Sequence, residues 1–223
     1  MLNEMKSAFG GNIKKIAFGA AAGTLLLGSV AMSAFAAPSP VSTAPGQNKI
    51  QCFDGTTEGG FGGVCSLNSN GAKGTATLDN TDTNPSGDYA GVYILNSTLF
   101  GQLLTNVKQL SYHYSGNIAP QPGNLSLNLP IDTNNDGSTE AYAFVDAYYC
   151  PGTNGTVDVI HDLNCGIYYG GTIFYPNWAA LVAAYPGAKV ATDNYMFVIA
   201  ERTPSEDSAL WTVGNVMLGK GGK

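Results

Sequence analysis

Apolar and polar residues alternate with a period of two along most of this chain, which predicts strands. Ala76 and Leu78 alternate with Thr75, Thr77 and Asp79. Leu110, Tyr112 and Tyr114 alternate with Ser111, His113 and Ser115, and Leu125, Leu127 and Leu129 with Ser126 and Asn128. Tyr89–Leu95, Ala141–Val145 and Tyr195–Ala200 are apolar nearly throughout, as strands covered on both faces are. Leu210–Leu218 closes the pattern. Gly, Asn, Asp and Pro clusters separate these seven or more strands.

Two stretches have helical spacing. Asn177 is placed to cap a short helix carrying Trp178, Leu181, Val182 and Tyr185 at i, i+3, i+4 and i+7, with Pro186-Gly187 to stop it. Leu99, Leu103 and Val107 share one face of a second candidate, Ser97–Val107, which Gly101 weakens. Many strands and few helices predict an all-β fold, an antiparallel jelly-roll β-sandwich with one or two short helices. No fixed-period repeat points to a propeller or solenoid.

The N-terminus is different. After Lys14 and Lys15 no charge occurs from Ile16 to Ala36, and the stretch ends in Ala34-Phe35-Ala36. Residues 1–36 read as a secretory signal peptide cut before Ala37, with an uncleaved anchor as the alternative. Residues 37–48, with Pro38, Pro40 and Pro45, read as an extended Pro/Ser/Thr linker. That leaves a β-sandwich domain at 49–219 and a flexible tail at 220–223. The expected location is secreted, extracellular or at the cell surface, with no membrane segment after cleavage.

Charge narrows the partners. The 223 residues carry a net charge of −6, and only 12% are charged. Without residues 1–36, which hold three Lys and one Glu, the remainder has 7 basic and 15 acidic residues. Such a chain repels phosphates, so nucleic acid is not an expected partner. Aromatics reach 10%, enough to exclude a disordered chain.

The four cysteines, Cys52, Cys65, Cys150 and Cys165, fit export through their even number. Three pairings are possible. The local one, Cys52–Cys65 with Cys150–Cys165, closes two short Gly- or Asn-rich loops and is preferred over the others. Closing loops of this size contributes about 3 kcal/mol each. A metal role is disfavoured, because there is no CxxC and the only histidines are His113 and His161.

The sharpest motif is Asp132-Thr133-Asn134-Asn135-Asp136-Gly137-Ser138-Thr139-Glu140. Calcium takes six to eight hard oxygens, and acids and amides two residues apart let a tight loop turn them inward. Gly137 supplies freedom for the turn. The loop resembles the nine-residue calcium loops found in β-hairpins of extracellular domains. That resemblance implies Asp132, Asn134, Asp136 and Glu140 as side-chain ligands, with the Ser138 carbonyl completing the shell. Asn at the third position and Glu at the ninth depart from the pattern but keep an oxygen. A plain hairpin turn is the alternative. The ion, Ca2+, is expected to be structural. An EF-hand is excluded, since the twelfth position is Ala143.

Tyrosine is the commonest aromatic, at 12 residues. Tyr148 and Tyr149 precede Cys150, and Tyr168 and Tyr169 follow Cys165; Tyr175, Trp178 and Trp211 come later. Flat rings with a polar tip bind neutral sugars at small entropic cost. Tyr148, Tyr149, Tyr168, Tyr169 and Trp178 are the candidate ligand contacts, and core packing is the competing account of the same rings. The expected partner is an extracellular glycan or cell-surface polymer.

Catalytic motifs are lacking: no GxSxG, HExxH, P-loop or Rossmann glycine pattern is present. Asp158, His161 and Asp162 sit in the second disulfide loop. Asp54, Asp146 and Glu201 are the carboxylates a glycosidase would have to draw on. An enzyme is therefore the third reading, after a binding module and a structural or adhesive surface protein. Sequons occur at Asn96, Asn124 and Asn154.

The closing Thr212-Val213-Gly214-Asn215-Val216-Met217-Leu218-Gly219 is similar to the last strand of many extracellular jelly rolls. Leu110-Ser111-Tyr112-His113-Tyr114, followed by a hairpin with an acidic loop, is similar to them too. Over Leu110–Gly219 the chain resembles the broad class of secreted concanavalin-like and carbohydrate-binding jelly rolls. The resemblance implies a β-sandwich, a structural calcium and glycan binding, and carries over no catalytic residue.

Overall fold

The computed structural model describes residues 49–55, 62–68, 74–81, 88–95, 97–150, 155–202 and 209–220. The expected signal peptide and linker, residues 1–48, lie outside the described residues, as do residues 221–223 and the sequons at Asn96 and Asn154.

The chain folds into two antiparallel sheets. The strands are β1 (Lys49–Asp54), β2 (Val64–Leu67), β3 (Ala76–Asp79), β4 (Tyr89–Leu95), β5 (Val107–Gly116), β6 (Leu125–Asp132), β7 (Ala141–Asp146), β8 (Thr156–Asp158), β9 (Ile167–Tyr169), β10 (Ile173–Tyr175), β11 (Lys189–Val190), β12 (Met196–Glu201) and β13 (Leu210–Lys220). The larger sheet runs β1-β4-β12-β6-β7-β9-β10, with β11 pairing β6 beyond the end of β12. The smaller runs β2-β3-β13-β5-β8. The chain crosses between sheets at β1→β2, β3→β4, β4→β5, β5→β6, β7→β8, β8→β9 and β12→β13.

Period-two patterning builds the core. Leu78 on β3, Leu110 and Tyr112 on β5, Leu125, Leu127 and Leu129 on β6, and Val213 on β13 belong to one buried cluster between the sheets. The only α-helix among the described residues, α1 (Trp178–Ala184), forms where the cap and spacing place it: the Asn177 side chain accepts a hydrogen bond from the Ala180 N–H at 3.0 Å. Trp178 and Leu181 drop from it into the same core.

Two expectations need correction. Ser97–Val107 is not an α-helix: it is a turn at 98–101 and a single 3-10 turn, Leu104–Asn106. Gly101, at φ +74°, breaks the spacing, and Leu103 bridges Lys189 instead. The strand β6 alternates in sequence like a half-exposed strand, yet all eight of its residues are buried. A second apolar layer on the far side of the larger sheet explains this: Phe53, Tyr89, Tyr142, Phe144, Phe197 and Ile199 cluster there, separate from the main core. Asn128 stays buried beneath it because its amide donates to Ser126 Oγ at 3.0 Å.

Both local disulfides are formed, Cys52–Cys65 and Cys150–Cys165. The first joins β1 of the larger sheet to β2 of the smaller. No helix among the described residues is long and apolar enough to cross a membrane.

Candidate functional site

Two groups of residues carry chemistry: the acidic hairpin between β6 and β7, and an aromatic row on the outer face of the larger sheet.

The hairpin is held by its own polar side chains. Asp132 is buried at the end of β6, where its two oxygens accept from the Asn135 N–H at 2.6 Å and the Gly137 N–H at 2.9 Å. Asn134 Oδ1 accepts from the Asp136 N–H at 2.9 Å, and Asp136 Oδ1 from the Ser138 N–H at 2.8 Å. Glu140 Oε2 accepts from the Thr133 N–H and hydroxyl. Two positive φ angles, Asn135 at 67° and Gly137 at 90°, close the loop; glycine suits the second and asparagine tolerates the first. Thr192 ties it down by donating from N–H and Oγ1 to the Gly137 carbonyl, each at 3.1 Å.

This folding brings together the three carboxylates of the expected ligand set. One carboxylate oxygen each from Asp132, Asp136 and Glu140 lie within 4.8 Å of one another. Every oxygen that accepts an amide keeps further lone pairs, since an ionised carboxylate has about four such sites. The donor set is all oxygen, which suits a hard cation of the calcium type and not a thiophilic metal. The Ser138 N–H, aided by the Ser138 hydroxyl and the Asn134 amide and opposed by desolvation, holds the Asp136 carboxyl below its ordinary range, so Asp136 stays charged. Tyr169 hydrogen-bonds Thr133 beside this loop; burial, chiefly, pushes its phenol up.

The aromatic row is set by strand register. Tyr93 (β4), Phe197 (β12), Asn128 (β6), Phe144 (β7), Tyr168 (β9) and Phe174 (β10) are successive cross-strand partners, so one line crosses six strands. Adjacent strands are about 4.8 Å apart, which brings Tyr93 against Phe197 and Tyr168 against Phe174, while Asn128 separates the rings of Phe197 and Phe144. The row is closed in the middle, where Phe197 is 2% exposed, and open at the β10 end, where Phe174 is 48% exposed. There Tyr149 and Tyr168, both half-buried, and the exposed Tyr148 extend it: ring centroids are 5.1 Å for Tyr168–Phe174, 5.4 Å for Tyr149–Tyr168 and 4.9 Å for Tyr148–Tyr149. The rings meet tilted or edge to face, presenting several short faces in place of one flat strip.

Three of the five aromatic contacts expected from the sequence thus come together, Tyr148, Tyr149 and Tyr168. The other two do not. Tyr169 and Trp178 are buried in the main core, Tyr169 against Tyr185 at 4.8 Å. The reason is strand geometry: Tyr168 and Tyr169 are neighbours in β9 and must face opposite sides. The residue that sequence reading missed is Phe174. The pairing of β9 with β10 puts it opposite Tyr168, and the Gly170-Gly171 dipeptide, both residues at positive φ, was the available hairpin signal.

The carboxylates considered for hydrolysis are placed otherwise. Asp146 accepts from the Gly123 and Tyr148 N–H groups, and Asp54 accepts from the Cys65 N–H at 3.0 Å. Glu201 ends β12, paired with Tyr89 of β4. Asp158 pairs with His161 at 2.9 Å on the surface, and Asp162 caps the Asn164 N–H at 2.9 Å. Asn124 is 1% exposed, with Oδ1 on the Gln121 N–H, so its sequon is closed to glycosylation in the folded state. In comparisons with known proteins the chain matches no family model and no curated protein.

Proposed function

We propose that this chain is an exported, calcium-stabilised jelly-roll sandwich that binds uncharged glycans at the open end of its aromatic row. The jelly-roll reading is supported by strand order. With β1, β2, β9, β10 and β11 set aside, eight strands remain, β3–β8, β12 and β13. Their orders are first-eighth-third-sixth in one sheet and second-seventh-fourth-fifth in the other. That is the order two wrapped Greek keys produce. Export is supported by the charge-free stretch Ile16–Ala36 behind Lys14 and Lys15 and by two disulfides.

Calcium is assigned to the oxygens of Asp132, Asn134, Asp136 and Glu140 and the Ser138 carbonyl. Bound there, it offsets two of the three negative charges of the clustered carboxylates and locks the β6–β7 hairpin, a structural role. Melting curves with and without calcium test this: a rise in Tm with calcium, absent in Asp136→Ala, supports it, and identical curves oppose it.

The observation that carries the glycan reading is the exposed cluster of Tyr148, Tyr149, Tyr168 and Phe174. Tyr148 and Phe174 are 50% and 48% exposed, although each also meets a neighbouring ring of the cluster. Ring faces stack on sugar C–H groups while phenol hydroxyls bond sugar oxygens. Around them, Leu163 to Ala188 contains no charged residue, so an uncharged polymer is favoured over an acidic one. A glycan array probed with the purified chain tests the reading: binding to neutral oligosaccharides that Tyr148→Ala abolishes is the expected result, and a flat array overturns it. The same surface is the basis for the second reading, a structural protein that associates with copies of itself.

A further inference from the structure

We propose that two copies of this chain pair antiparallel through the edge strand β10, forming a closed two-fold dimer that joins their larger sheets. The inference goes beyond the glycan reading and does not depend on it.

A free strand edge is a template for pairing with another chain, and folded proteins guard such edges with charge, covalent links or cover. The two sheets end in four strands: β1 and β10 in the larger, β2 and β8 in the smaller. Three are guarded. β1 and β2 are clamped to each other by Cys52–Cys65 and by the Cys65 N–H donating to Asp54. β8 ends in Asp158, whose carboxylate is paired to His161. β10 has none of these devices. It reads Ile173-Phe174-Tyr175, no strand lies beyond it among the described residues, and its first two side chains are 46% and 48% exposed. Leu163, 72% exposed and held near α1 by a bond from Asn177 to its carbonyl, adds to the apolar surface at this end.

Charge selects the occupant. The chain carries −6 overall, so most approaches of one copy to another meet repulsion. The 26 residues from Leu163 to Ala188 carry no charge, and β10 lies in their middle. Two copies can meet there without like charges facing each other, and the edge offers no charge to recruit a cationic or anionic partner. An antiparallel pair centred on Phe174 sets Phe174 opposite Phe174, and Ile173 opposite Tyr175. The outer aromatic rows of the two copies then run into one another without being covered.

Sedimentation of the purified chain over a range of concentrations tests this. A monomer–dimer equilibrium is expected, with the short strand giving a weak, reversible contact. Ile173→Lys and Phe174→Lys should each weaken the dimer by about tenfold or more, because an edge lysine resists pairing. Val64→Lys, a substitution of an exposed residue on the clamped strand β2, should leave it unchanged, as should Tyr148→Ala. A chain that stays monomeric at every concentration overturns the proposal. So does a dimer that Ile173→Lys and Phe174→Lys leave intact, or an open-ended series of larger species in place of a closed pair. Circular dichroism of both lysine variants must match the parent; if one is misfolded, the other carries the test.

Discussion

The two ends of the larger sheet deal with the same physical problem in opposite ways. At the β1 end the chain turns back into the smaller sheet, and Cys52–Cys65 with the Asp54–Cys65 hydrogen bond fixes that return. At the β10 end the sheet stops in three uncharged residues, two of them about half exposed. Between them one register-aligned row runs from the interior at Phe197 to the surface at Phe174. One layer therefore stabilises the fold at its centre and leaves rings open to solvent at its edge. The difference lies in what covers each ring and not in the residue type.

Substitutions along that row should separate the two roles. Phe197→Ala empties a site 2% exposed, within contact of Phe53, Tyr93 and Tyr142, and should cost about 3–5 kcal/mol in chemical denaturation. Phe174→Ala, at the open end, should cost under about 1 kcal/mol while weakening glycan binding at least tenfold. Equal stability losses at the two positions would erase the distinction between core and platform.

The clamp at the other end comes next. Replacing both Cys52 and Cys65 by Ala should lower stability by about 3 kcal/mol and raise the tendency to self-associate, since a second edge is then less firmly held. Removing the α1 cap by Asn177→Ala should cost about 1 kcal/mol, read as a fall in Tm.

The smallest expected effect is that of pH on the acidic hairpin. The folded-state pKa of Asp136 is depressed, first by the Ser138 N–H. Its contribution is present above the unfolded-state value and is lost as pH falls through the lower folded-state value, so the hairpin loosens only in acid. Amide exchange of Ser138 should thus be flat around neutrality and rise, relative to its intrinsic rate, below the ordinary carboxylate range. An increase at neutral pH would contradict the assignment of that hydrogen bond.

Much of this is legible in the chain because it is local. The Asn177 cap, the helix stop at Pro186-Gly187 and the spacing of Asp132, Asp136 and Glu140 each lie within a few residues and fold as read. Both disulfides close between neighbouring segments and were readable for the same reason. What escaped was non-local. The five rings of the row, with Asn128 among them, come from six strands separated by up to about a hundred residues, and only strand pairing aligns them. For the same reason the burial of Ser126 and Asn128 could not be read from β6 itself: their neighbours belong to β12 and β7. The misplaced Tyr169 is a different case. Strand parity alone forbids Tyr168 and Tyr169 from sharing a face, so that rule was already available in the sequence.

The most direct test of the account is isothermal titration of the purified chain with neutral oligosaccharides, run in parallel on Tyr148→Ala and Phe174→Ala. The account predicts saturable heat that persists at high salt, because no charge–charge contact is involved, and that both substitutions remove while leaving Tm within a few degrees of the parent. Absence of heat with any neutral glycan, or binding that survives both substitutions, would contradict it.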